Sequence, residues 1–222
     1  MVDGGLNLHH LQFLAVGALW TVCLSLIAFV GGGIAGGAIA LCRISPLKPL
    51  RWLTIAWIQI IQGTPLLVVL FVCYFGLSIM GLELPGLVAA SIAMIIYVSA
   101  YLGEIWRGCI EAVPRTQWEA AECLALSRWQ RMRLVVLPQA LRIATPPTVG
   151  FMVQIVKNTS LASIVGFVEL VRAGQLINNS TFQPFLVYLI IAAVYFAMCY
   201  PLSVWSRRLE QRLHFGQRAA AP

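Results

Sequence analysis

The sequence predicts an all-α integral membrane protein of five transmembrane helices, with the N-terminus outside, the C-terminus cytoplasmic and a helical hairpin on the cytoplasmic side. Three observations lead there. Of 222 residues, 60% are hydrophobic and only 10% charged, with a mean hydropathy of +0.85, whereas a soluble domain carries about 25% charged residues. The apolar residues form continuous runs long enough to cross a bilayer, which takes about 20 helical residues; runs that do not alternate exclude a closed barrel. Finally, thirteen of the fifteen Lys and Arg residues fall in alternate connections, the asymmetry that orients membrane proteins.

The runs lie at about 11–41, 53–80, 84–110, 144–170 and 185–205. The first follows Met1-Val-Asp-Gly-Gly with no basic residue ahead of it, so it is expected to be a retained span and not a secretory signal. It carries Gly31-Gly32-Gly33 and Gly36-Gly37. Pairs such as Gly32/Gly36 let helix backbones approach closely in lipid, either within the chain or against another subunit. In the second run, Gln59, Gln62 and Thr64 lie on roughly one side at depth. Pro65 there removes a donor and frees a carbonyl one turn earlier, and freed backbone groups beside a cavity bind small polar solutes.

The third run places Glu104 three residues before Arg107, as a simple helical ion pair or a gating pair. Tyr97, Ser99 and Tyr101 either line the same side or bond between helices. Near the middle of the fourth run stand Lys157, Asn158, Thr159 and Ser160. A charge in the bilayer centre is costly and usually functional, and four consecutive polar residues occupy the whole circumference of a helix. They point to a locally opened helix or a water-filled cavity. Lys157 then meets a substrate carboxylate, or is a structural lysine paired with an acid such as Glu104.

Arg43, Lys48 and Arg51 occupy the first connection; Arg107, Arg115, Arg128, Arg131, Arg133 and Arg142 the third and its flanks; Arg207, Arg208, Arg212 and Arg218 the tail. These three segments therefore face the cytoplasm. The surplus of +7 is explained by this topology, without nucleic acid. The six cysteines show no metal-ligand spacing and sit mostly in apolar runs, where Cys packs as a small hydrophobe.

The third connection, about 114–138, is polar and helix-capped. Thr116-Gln117-Trp118-Glu119 fits a capping box after Pro114. Ser127-Arg128-Trp129-Gln130 repeats the box and starts a second helix, expected to run until Pro138 interrupts it. The hairpin would expose Trp118, Leu124, Leu126 and Trp129 near its tip. Helices this short are marginal in water, so they need something to pack against.

Glu119-Ala120-Ala121, a small residue at Ala125, and Val135-Val136-Leu137-Pro138 resemble the EAA loop of bacterial ABC-importer permeases along its whole length. Val135 replaces the usual Ile, and Ala125 replaces the Gly of the corner. A left-handed corner would penalise Ala by about 1 kcal/mol. Gly63-Thr64-Pro65-Leu66-Leu67, the segment from Ala100 to Gly108 and the segment from Lys157 to Ser163 resemble the polar amino-acid permeases of that family (histidine, glutamine, arginine and glutamate permease-like). The subfamily often has Glu and Arg where this chain has Gln59 and Gln62.

The resemblance implies a transport subunit in the bacterial cytoplasmic membrane, with the EAA loop as a coupling helix docked on an ATPase. Glu119, Ala120, Ala121 and Ala125, with Leu126 and Trp129, would form that contact. Gln59, Gln62, Thr64, Glu104, Lys157, Asn158, Thr159 and Ser160 are the candidates for the substrate path. Implied partners are an ATPase dimer, a second permease subunit (identical or not) and an extracytoplasmic amino-acid-binding protein. The chain has no phosphate-binding glycine loop, so it is expected to bind no cofactor, with ATP and Mg held by the ATPase. The basic tail meets anionic headgroups or the ATPase.

An intramembrane protease is disfavoured by the residues: His9, His10 and His214 lie near the termini, Asp3 is the only Asp, and HExxH is absent. A channel or scaffold using the same spans leaves the paired caps and the EAA spacing unexplained.

Overall fold

The computed structural model describes residues 7–219, and among them every regular element is helical. Helix α1 (Leu8–Arg43) is followed by α2 (Lys48–Gln62) and α3 (Leu66–Ile79), then by α4 (Gly86–Glu111). The short α5 (Arg115–Cys123) leads into α6 (Arg128–Val165), and α7 (Leu170–Thr181) into α8 (Pro184–Ala219). α1, α4, α6 and α8 are each long and apolar enough to cross a membrane.

The second apolar run is the exception. α2 and α3 meet at 102°, so it is a bent pair and not one straight span. Gly63 caps α2, while Pro65 lacks an N–H and drives Thr64 out of the helical region. The Thr64 hydroxyl donates to the Ile60 carbonyl at 2.7 Å, closing the end of α2 on itself.

The most extensive packing is between α1 and α4, and glycine makes it possible. A Cβ at Gly32 would stand 2.4 Å from Cγ1 of Val98, and one at Gly36 would stand 3.1 Å from both the Gly103 nitrogen and the Ser99 carbonyl oxygen. The small-residue pair is therefore an intrachain contact. Around it Leu24 and Ala28 of α1, Val69 and Leu70 of α3, Ala93, Met94, Val98 and Leu102 of α4 and Ile155 of α6 form the central core. A second cluster joins Leu14 to Leu170, Ala173 and Ile177 of α7 and Val187 and Ile191 of α8.

The fourth run differs from expectation at both ends. α6 starts at Arg128, 16 residues before the apolar stretch at 144, and Pro138 does not stop it. A π-helical stretch at Arg131–Val136 precedes the regular segment Leu137–Asn158; the wider turn leaves room for the proline ring and its missing donor. At the other end the helix tightens to 3-10 over Thr159–Val165 instead of opening. α7, not foreseen in the sequence, follows because the Glu169 side chain caps it.

In the hairpin, α5 begins after Pro114, with Thr116 already inside the helix and no side-chain cap; the Thr116 box does not form. The Ser127 box does, with Gln130 N–H donating to Ser127 Oγ at 3.3 Å and Ser127 N–H to Gln130 Oε1 at 2.9 Å. Trp118 is not at the tip: it packs on Ile110, Val113, Val136 and Ala140, pinning the hairpin to the end of α4. Between the helices Ala125 takes φ 54°. Leu126 N–H bonds the Ala121 carbonyl and Ala125 N–H the Glu122 carbonyl, the pair of bonds that closes a helix with a left-handed residue. The corner thus keeps the glycine conformation with an alanine in it.

Ala125→Gly is expected to stabilise the hairpin by about 1 kcal/mol, read as a higher unfolding temperature in detergent. An unchanged or lower temperature contradicts the strained corner. Gly36→Leu forces α1 and α4 apart where backbone faces backbone, at a cost of about 3 kcal/mol or more. The expected readout is loss of the monodisperse peak in size-exclusion chromatography.

Candidate functional site

The polar residues at membrane depth separate into those bonded inside the fold and those left open. Thr159 belongs to the first set. It is fully buried, and its hydroxyl donates to the Val156 carbonyl at 2.8 Å. Tyr195 of α8 interacts with Thr159, Thr21 and Glu169. Glu169, also fully buried, accepts from Arg172 N–H at 2.8 Å, Val171 N–H at 3.0 Å and the Tyr195 hydroxyl at 3.1 Å. Thr21 of α1 accepts from Leu170 N–H at 3.2 Å. This network ties α1, α6, α7 and α8 together with a carboxylate satisfied by neutral donors, and Thr159 serves it instead of lining an open path.

Sequence reasoning did not single out Glu169. The signal was present: an acid immediately ahead of Leu170, Ala173, Gly174 and Ile177, whose spacing is helical and whose side chains are buried. A carboxylate at that position accepts from the free N–H groups of a helix start.

The second set lines one face of α4 and the helices beside it. Tyr97 and Tyr101 lie one turn apart with ring centroids at 4.5 Å, and Tyr101 stacks on Phe151 of α6 at 5.4 Å. Tyr97 also interacts with the side chain of Asn158, which accepts from Gln154 Nε2 at 3.0 Å. Below them a cavity of about 430 Å³ is lined by Gln62, Tyr101, Glu104, Arg107, Ile143 and Pro147, among others, within the usual range of roughly 300–1,000 Å³ for small-molecule sites. Gln62 Nε2 reaches the Ala100 carbonyl at 3.5 Å. Because Pro147 has no N–H, the Ile143 carbonyl at the cavity wall lacks its helical donor.

Gln62 and Glu104 are therefore brought together, and Asn158 adjoins them through the tyrosines. Gln59 is exposed one turn up α2. Thr64 turns back into its own helix, as do Ser160, whose hydroxyl donates to the Lys157 carbonyl at 2.7 Å, and Ser99, which bonds the Ile96 carbonyl. Lys157 is exposed and enters no ion pair among the described residues. It sits on the α8 side, near enough to Cys199 to interact with it. It is not paired with Glu104.

Glu104 has other partners. It accepts from the Arg107 guanidinium and from Arg43 of α1 at 3.4 Å, and Arg107 also reaches Glu111. The expected helical pair is present, extended by Arg43 into a clamp between the basic ends of α1 and α4.

On the hairpin, Glu119, Ala120 and Ala125 are exposed and Ala121 is buried. Leu124 and Trp129 are 74% and 68% exposed, and Leu126 is half-buried. The corner therefore presents an alanine face, a carboxylate and two large apolar side chains beyond the bundle. Glu122 and Arg131 bridge its two arms at 3.3 Å.

Residues 13–215 match the family described as binding-protein-dependent transport system inner membrane component. The chain is 35% identical over 207 residues to the probable amino-acid ABC transporter permease protein YckA of Bacillus subtilis, covering 93% of this chain and 92% of that one. It is 38% identical over 193 residues to the probable glutamine ABC transporter permease protein GlnM of the same organism, covering 87% and 89%. Among solved structures, an amino acid ABC transporter crystallised with histidines superposes with TM-score 0.87 at 34% identity, over 92% of this chain and 95% of that one. The MetNI methionine ABC transporter shares the fold, with TM-score 0.75 at 16% identity over 92% and 99%. With all-helical spans, an open polar face and matches covering most of its length, the chain belongs to the family of binding-protein-dependent inner membrane components, as a multi-pass permease subunit of an ABC importer in the bacterial inner membrane.

Proposed function

We propose that this chain forms half of a translocation path for a polar amino acid, delivered by an extracytoplasmic binding protein and moved by a cytoplasmic ATPase dimer. A second permease subunit, identical or not, completes the path. The N-terminus lies outside and the hairpin inside, the side on which basic residues accumulate. The observation that carries the reading is the polar strip: Gln59, Gln62, Gln154 and Lys157 are exposed at membrane depth, where contact with lipid would be costly, so they face a wet cavity or a partner subunit. The glutamine and amino-acid transport functions named for relatives support an amino acid as cargo.

In this reading Lys157 attracts the substrate carboxylate, and Asn158, Gln62 and the tyrosine hydroxyls offer neutral hydrogen-bonding groups. The ATP and Mg belong to the ATPase. Its closure moves the hairpin, with Glu119, Ala120, Ala125, Leu126 and Trp129 as the contact surface, Ala121 anchoring the corner, and the cavity opening alternately to each side.

ATP-dependent uptake by proteoliposomes holding this chain, its ATPase and its binding protein, over a panel of amino acids, is the direct test. Glu119→Lys is expected to lower that uptake at least tenfold while membrane insertion is retained; wild-type uptake removes the docking role. Lys157→Met is expected to raise the substrate KM at least about tenfold through loss of one charge-assisted contact, and unchanged transport assigns Lys157 to packing.

A further inference from the structure

Among the described residues no acid is free to receive a cation at membrane depth. Of the eight Asp and Glu residues, Asp3 precedes the described residues, Glu83 lies in the connection ahead of α4, Glu119 and Glu122 belong to the hairpin and Glu210 to the cytoplasmic end of α8. Glu111 pairs with Arg107. That leaves two. Glu169 is fully buried, with its oxygens occupied by two N–H groups and a tyrosine hydroxyl. Glu104 faces the cavity but is held by both Arg43 and Arg107.

The open strip therefore carries a positive balance. Among the described residues, Arg43, Arg107 and Lys157 stand against Glu104 and Glu111, and Lys157 enters no ion pair. The remaining polar groups (Gln59, Gln62, Gln154 and Asn158) are all neutral amides. Any zwitterionic amino acid brings one carboxylate, which Lys157 can pair, and one α-ammonium, which amide oxygens and the faces of Tyr97, Tyr101 and Phe151 can receive. A second ammonium or a guanidinium on the side chain would find no unoccupied carboxylate among the described residues at that depth and would meet the like charge of Lys157, in surroundings where charges are weakly screened.

Resting on the amino-acid transport proposed above, we infer that the half-path built by this chain accepts amino acids with neutral or acidic side chains and rejects basic ones, with unpaired Lys157 beside amide Asn158 as the determinant. Asn158 is the informative position. It is next to Lys157, interacts with Tyr97 and accepts from Gln154, so Asn158→Asp keeps an oxygen for Gln154 and supplies the missing carboxylate without changing the volume of the side chain appreciably.

The test measures equilibrium binding of radiolabelled L-glutamine, L-glutamate and L-arginine to the purified permease–ATPase complex without its binding protein, so that the complex alone sets the preference. Glutamine and glutamate are expected to bind at least about tenfold more tightly than arginine, and Asn158→Asp to raise arginine affinity at least about tenfold. Arginine binding as tight as glutamine in the wild type overturns the inference, as does an Asn158→Asp complex, shown to retain glutamine binding, with no gain for arginine. If none of the three binds while ATP-dependent uptake proceeds, the charge-selective site is refuted and the transport function stands. If no amino acid is taken up with ATP by the complete transporter, the transport function itself fails.

Discussion

Hydrocarbon offers no hydrogen bonds, so each polar group at membrane depth must find a partner in the protein or face water. That constraint divides this chain in two. Thr21, Thr159, Glu169 and Tyr195 satisfy one another and the exposed N–H groups at the start of α7, and together they define a rigid frame. Gln59 and Lys157 stay exposed outside this frame, as does Gln154, whose amide donates only to its neighbour Asn158. The distinction is not polarity, since Glu169 is as ionisable as Lys157. It is whether donors are pre-arranged around the group, and a broken helix supplies them: the free N–H groups of α7 stabilise a carboxylate that a continuous helix could not.

The frame also depends on how closely two helices approach. Apolar side chains gain little from one another in lipid, so close backbone contact has to supply much of the adhesion. α1 and α4 achieve this through Gly32 and Gly36, where Val98 and the backbone at Ser99 and Gly103 occupy the space of the missing side chains. With α1 seated there, Arg43 reaches Glu104. Trp118 packs with Ile110, Val113 and Val136. The hairpin is thereby carried on the same unit that builds the wall of the cavity.

Much of this was legible in the sequence because it rests on composition and local spacing. Long apolar runs, the alternation of basic connections, the Ser127–Gln130 box and the glycine pair each report on residues close in the chain or on averages over it. What escaped depended on long-range partners or on details of backbone closure. The Glu104–Arg107 pair was visible as a helical spacing, whereas Arg43, sixty-one residues away, was not. Thr116 had the right sequence for a cap, but Pro114 begins the helix earlier with its fixed φ. Pro138 and Pro65 present the same chemistry with opposite outcomes: one is accommodated by a π-helical stretch and the other ends a helix, helped by Gly63. Ala125 carries the plainest lesson, since the corner's conformation is imposed by the two helices and persists at an energetic cost when the preferred residue is absent.

The course of α6 links the two ends of the proposed mechanism. One helix, Arg128–Val165, holds Trp129 at the exposed corner and Lys157 among the exposed polar groups, and the 28 residue steps from one to the other span about 42 Å at 1.5 Å per residue. A uniformly stiff rod of that length, pinned by the packing of Val136 and Ala140 at one end and by Ile155 at the other, could move only as a unit and would disrupt both contacts. This helix is not uniform. Between its pinned regions Pro146 and Pro147 remove two successive helical donors, and Ser206 of α8 bonds the Pro146 carbonyl at 2.9 Å, bracing the weakened turn from outside. Nearer the corner the π-helical stretch at Arg131–Val136 adds a second place where the ladder of bonds is already altered. Bending concentrated at the proline pair leaves the anchored ends intact while changing their relative angle. Pro147 and Ile143 lie at the cavity wall, so in the proposed mechanism a bend at this turn would move the wall itself.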